Sequence, residues 1–156
     1  LRQNNFILSP NWLLLLLALL AGTLMPTQAV VNNKLATYLP HPALAAFISF
    51  ASGTLSLIIY ILASGISFGQ LISAKNAPLV AWSGGLMGAI YVVAVINLVP
   101  RLGVALTFSV LIAGNLVITV LLDHIGFLGI PVKPINFPRL LGVLLVLLGV
   151  ILVRRY

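Results

Sequence analysis

A chain of 156 residues in which 62% are hydrophobic and only 6% charged falls outside the soluble globular class, where about a quarter of residues carry charge. Eight basic residues and one acid give a net charge of +7, but the bases stand singly with no interleaved aromatic stripe, which argues against nucleic acid and for anionic lipid headgroups as the partner. The absence of cysteine removes disulfides and thiolate metal sites.

A bilayer core of roughly 30 Å calls for about 20 apolar residues per helix. The first such segment covers about residues 11–31. Arg2, the leucines from Leu13 to Leu20 and the Thr27-Gln28-Ala29 stretch could also be read as a signal peptide. The segment is already of spanning length, however, and four more hydrophobic segments follow. The second covers about residues 43–63, after the breaker Pro40-His41-Pro42. The third covers about residues 79–99, opened by Pro78 and closed by Pro100. The fourth covers about residues 102–122. The fifth covers about residues 137–153, after a loop holding Pro131, Pro134 and Pro138. Proline suits the first turn of a helix and the positions beyond its end. Open strands cannot satisfy their backbone in lipid, so the segments are predicted to be helices. The fold class is therefore an all-α integral membrane protein with five transmembrane helices in one domain spanning 1–156. Five spans use about 100 residues and leave no room among these for a second soluble domain.

With five spans, the connecting loops fall into two alternating sets. One holds Arg2, Lys75, Lys133 and Arg139, and the other Lys34, Arg101, Arg154 and Arg155. Orientation normally follows an excess of Lys and Arg on the cytoplasmic side. Four against four gives no excess, so the chain is expected to insert both ways and to pair with an inverted copy of itself.

Polar and small residues within the spans mark candidate sites. Gln28 and Asn32 lie one turn apart after Pro26, which should kink the first helix. Irregular backbone beside polar side chains can line a cavity, so the pair is a candidate for a solute path; hydrogen bonding to a neighbouring helix is the alternative. Tyr91 lies mid-span and needs a partner for its hydroxyl, so it should point into the bundle. Asn115, near the middle of the fourth helix, either lines a path or bonds another helix. Asp123, the lone acid, ends that helix beside His124. It reads as an interfacial carboxylate paired with a base such as Lys133 or Arg101, and secondarily as a coupling site. Gly84 and Gly88 in the third helix, and Ala45, Ser49 and Gly53 in the second, form small-residue stripes for close helix packing. Gly142 and Gly149 are two turns apart on one face of the fifth helix, suited either to dimer contact or to packing within the monomer. Trp12 and Trp82 read as interfacial belt residues. No phosphate loop, triad or carboxylate pair can assemble, so no enzyme, metal or cofactor is expected.

Several stretches together carry a resemblance. They are Pro26-Thr27-Gln28-Ala29 with Asn32-Asn33-Lys34-Leu35, and Ala81-Trp82-Ser83-Gly84-Gly85-Leu86-Met87-Gly88 with Tyr91. Others are Val99-Pro100-Arg101-Leu102-Gly103, Ala113-Gly114-Asn115, Leu122-Asp123-His124-Ile125-Gly126 and the closing Leu-Gly-Val-Leu pattern. In their order and spacing the chain resembles the YdcZ-like family of bacterial inner-membrane proteins, in the drug/metabolite transporter superfamily. Where that family has Gln after Ala-Gly, this chain has the shorter amide Asn115.

The resemblance implies an exporter in the bacterial inner membrane and one half of an inverted-repeat architecture. Single, paired and fused gene forms in the family imply an antiparallel pair. The Gly142, Gly149, Val150 spacing is similar to the dimer-forming last helix of small multidrug resistance transporters. Those proteins use a membrane-embedded Glu in the first helix, which this chain lacks, so proton-coupled export of cationic drugs is not expected. The reading that follows is an antiparallel homodimer that moves a small solute by alternating access, past Gln28, Asn32, Tyr91 and Asn115. A passive dual-topology channel and a non-transporting assembly subunit are the alternatives.

Overall fold

The computed structural model describes residues 12–156. Arg2 and the expected helix start at Asn11 lie outside the described residues. Five helices are long and apolar enough to cross a membrane: α1 (Trp12–Ala36), α2 (Pro42–Ala63), α3 (Gly84–Leu102), α4 (Val104–Ile125) and α5 (Phe137–Arg155). No strand occurs among the described residues.

Helix ends in α1, α3 and α4 differ from expectation. α1 runs five residues beyond the predicted end at 31, to Ala36. The polar group Asn32-Asn33-Lys34 does not stop it, because Asn33 Nδ2 donates back to the Ala29 carbonyl (3.1 Å). α1 is also continuous through Pro26. Residues Leu79–Ser83 form a 3-10 helix, and α-helix begins only at Gly84. Pro100 does not close α3 but lies inside its last turn; the break comes at Gly103, where φ is 79°. α4 therefore starts at Val104 rather than 102 and continues to Ile125, past the predicted end at 122. α5 starts at Phe137, where the Asn136 side chain caps it by accepting from the Arg139 amide at 3.0 Å. A second 3-10 segment, Phe68–Asn76, lies in the connection between α2 and α3.

α1, α2 and α3 pack on one another, α4 packs on α3 and α1, and α5 packs along α4. The buried residues gather at one end. One cluster joins Ala29 to Val95 and Val99, with Tyr91, Val104, Phe108 and Leu111 around it. The other joins Ala45 and Ala46 to Ile96. These positions are the second half of α1, the start of α2 and the second half of α3. Small alanines there let the backbones approach, which is how helices associate where lipid is as apolar as their side chains. Thr107 is fully buried, and its hydroxyl donates to the Gly103 carbonyl at 2.7 Å. At the opposite end the helices part. The whole stretch from Trp12 to Leu20, and α2 from Ala51 to Tyr60, is exposed within the monomer.

Gly126 ends α4 in the left-handed conformation at φ 63°. A Cβ there would stand 2.7 Å from Val132 Cγ2 and 3.3 Å from the Ile130 carbonyl oxygen. Strain and clash act together, so Gly126→Ala should lower stability by about 1–3 kcal/mol. Thermal unfolding of the purified protein in detergent would register that loss. An unchanged melting temperature would mean that the turn relaxes freely.

Candidate functional site

The parted end leaves a groove between α1 and α2 of about 450 Å³. Gln28 walls it from α1, and Ser49, Phe50, Gly53, Thr54 and Ser56 wall it from α2. Gln28 lies four residues past the middle of α1 (Trp12–Ala36), about 6 Å along the axis. Ser49 and Ser56 straddle the middle of α2 (Pro42–Ala63). A largely apolar groove thus carries a few polar groups near mid-depth.

Its hydrogen-bonding capacity is only partly used. Ser52 Oγ donates to the Ser49 carbonyl and Ser56 Oγ to the Ser52 carbonyl, each at 2.9 Å. Such back-bonding satisfies a hydroxyl proton inside its own helix. Gln28 Nε2 reaches Ser49 Oγ at 3.5 Å, the outer limit for such a bond. An amide can donate twice and accept through its carbonyl, so most of what Gln28 offers stays available to the groove.

Behind Gln28 lies a second, much smaller space bordered by Asn32, Tyr91 and Phe108 together with Met25 and Ala29. It holds about 10 Å³, close to the least volume that admits one water. Asn32 is buried at 5% relative exposure, and Tyr91 packs against the Ala29–Val95–Val99 cluster, pointing into the bundle as its position required. Gln28 borders both spaces. The structure therefore brings Gln28, Asn32 and Tyr91 together across α1 and α3. Asn115 borders neither space and is exposed on α4; α4 contributes Phe108 instead.

Sequence reasoning missed the α2 wall. The spacing Ser49, Ser52, Ser56 (i, i+3, i+7) was a signal for one hydroxylated face. Ser49 was read only as part of a small-residue packing stripe. Of the glycine pair in α3, Gly88 is the one used for close approach: a Cβ on it would lie 3.3 Å from Phe50 Cζ. Gly84 faces open space. Gly88 thereby seats the ring that walls the groove.

Asp123 is paired, but with neither base expected of it. Arg139 Nη2 stands 3.2 Å from Asp123 Oδ2. Arg139 Nη1 also donates to the Lys133 carbonyl at 3.0 Å. Lys133 enters through its backbone, its amide donating to the Asp123 carbonyl at 2.9 Å. The Ile135 amide donates to His124 Nδ1 at 3.3 Å. Together these bonds tie the α4–α5 connection to the end of α4. Arg101 cannot take part: it ends α3, next to the start of α4. Asp123 lies near the far end of α4 (Val104–Ile125), about 29 Å along the axis from that start. Gly142 and Gly149 are half-buried beside α4, and a Cβ on either would meet nothing within 4 Å.

A family model described as "Putative inner membrane exporter, YdcZ" matches residues 13–152. The match covers nearly the whole chain, and the protein belongs to the YdcZ family. It is a multi-pass inner-membrane protein of an exporter family rather than of an enzyme family. Neither a curated protein nor a solved structure matches the chain.

Proposed function

We infer that this member of the YdcZ family is one half of a carrier, working as an antiparallel homodimer that exports a small solute by alternating access. The observation that carries the reading is the one-ended packing of the bundle. Helices closed at one end and parted at the other leave a two-walled groove, largely apolar but carrying Gln28, Ser49, Thr54 and Ser56 near mid-depth. Polar groups facing hydrocarbon are costly unless they meet water, a ligand or another chain. An inverted second copy supplies the missing wall. It also makes the two membrane faces equivalent, so rocking one copy against the other opens the path to either side. Gln28, Asn32 and Tyr91 then lie along the path, with Asn115 on the α4 face turned to the partner.

The α5 glycines supply the expected contact between copies. Nothing in the monomer presses on Gly142 or Gly149, so the space above them is free for another helix. Gly142→Leu with Gly149→Leu should hold the backbones apart and cost about 1–3 kcal/mol of association, read as a five- to hundredfold rise in the dimer dissociation constant. Single-molecule photobleaching in lipid at graded dilution measures it. An unchanged dimer fraction would place the contact between copies on another helix.

A further inference from the structure

We propose that the groove between α1 and α2 binds an uncharged, hydroxyl- or amide-bearing solute, and that Gln28 is its selecting residue. The proposal rests on the exporter reading only in calling the occupant cargo. Three observations support it. The lining offers hydrogen bonds from both helices, yet Gln28, Ser49, Thr54 and Ser56 carry no charge. Nor do the other lining residues, so a charged solute would enter a low-dielectric groove with no counter-ion. The described ion pair, Asp123–Arg139, is committed to the α4–α5 connection.

The groove is also amphipathic in a way that suits one kind of ligand. The Phe50 ring, held against Gly88, gives an apolar wall. Gln28 faces the same space with an amide that is nearly unspent, while Ser52 and Ser56 have already given their protons to backbone carbonyls. Ser56 is therefore left as an acceptor, and Gln28 as both donor and acceptor. A solute carrying hydroxyl or amide groups along one edge and carbon on the other matches that wall. At about 450 Å³ the groove is within the range of small-ligand sites. The Asn32–Tyr91 space behind it is too small for the same solute. Passage onward requires Gln28 to move, so the amide that recognises the solute also stands between the two compartments.

The absence of cysteine makes the test direct. Ser49→Cys, Thr54→Cys and Ser56→Cys would be made singly, with Leu55→Cys on the outer face of α2 as control. Each would be placed in lipid nanodiscs, so that both membrane faces are reachable. Three methanethiosulfonates are the probes: hydroxyethyl (neutral), trimethylammonioethyl (cationic) and sulfonatoethyl (anionic), with rates normalised to a free thiol. The groove cysteines should react at least about tenfold faster with the neutral reagent than with either ion, and the control with none. Adding Gln28→Glu should raise the rate of the cationic reagent at Ser56→Cys and lower that of the anionic one. Equal rates for all three reagents, or no reaction at any groove position, would overturn the proposal. The exporter reading fails separately, on a single orientation in the membrane, which leaves this labelling pattern intact.

Discussion

A cysteine added at the C-terminus should react with an impermeant thiol reagent in about half of the molecules in intact cells, and the other half should react only after permeabilisation. The expectation comes from charge and from where the helices end. Lys34 lies in the last turn of α1, Arg101 in that of α3, and Arg154 and Arg155 in that of α5. Those ends share one side of the bundle. Lys75 in the α2–α3 connection, and Lys133 with Arg139 at the α4–α5 connection, occupy the other. Arg2 belongs to that second set by sequence. Because the orientation signal counts Lys and Arg more than net charge, Asp123 does little to offset Arg139. The two sets are therefore matched at four each. A small added bias should then have a large effect. Thr37→Lys with Pro40→Lys, both at exposed positions in the α1–α2 turn, should drive nearly every molecule into one orientation. If the antiparallel pair is the working unit, that variant loses dimer and transport together. It recovers both when co-expressed with a chain biased the opposite way. A C-terminus wholly on one side in the unmodified protein would sink the antiparallel model.

What was legible in the sequence was whatever hydrophobic length and proline placement dictate. α5 was read to within two residues of its end, where Arg154 and Arg155 close the apolar run. α1 was read short because Asn32, Asn33 and Lys34 look like the end of a span. In the fold Asn33 bonds back to its own helix, and Asn32 turns into the bundle. The third span does begin at Leu79, but its first residues are 3-10 rather than α-helical, a distinction that hydropathy does not carry. The partner of Asp123 was misassigned for a related reason. Lys133 is nearer in sequence, but its backbone rather than its ammonium group faces Asp123, and the Asn136 cap turns Arg139 toward the carboxylate. The α2 wall was hidden by residue size: serine counts equally as a small packing residue and as a hydroxyl. Only the arrangement of α1 beside α2 shows which use Ser49 and Ser56 have.

Gln28→Leu should weaken solute binding about five- to hundredfold, while Asp123→Asn leaves it nearly intact. A thermal-shift screen of uncharged metabolites on the unmodified protein supplies the ligand. One present at a hundred times its dissociation constant adds about 2.7 kcal/mol of apparent stability. Removing a single amide that bonds the solute costs about 1–3 kcal/mol of binding, so at that concentration the added stability should fall from about 2.7 to between about 1.8 and about 0.3 kcal/mol. The melting temperature without ligand should barely move, since Gln28 makes one marginal bond at 3.5 Å. Asp123→Asn should behave in the opposite way. Its carboxylate is about a quarter exposed and lies at the end of α4. A partly solvated pair of this kind contributes no more than about 1 kcal/mol. Arg139 also keeps the Lys133 carbonyl when the carboxylate is gone. The ligand-free melting temperature should therefore fall slightly, and the ligand-induced shift should persist. The same contrast should hold for flux: sharply reduced with Gln28→Leu, and kept at every pH with Asp123→Asn. If Asp123→Asn alone removes both the shift and the pH dependence of transport, the order is reversed. The ion pair with Arg139 would then have to open during each cycle, and the lone acid would be the coupling group.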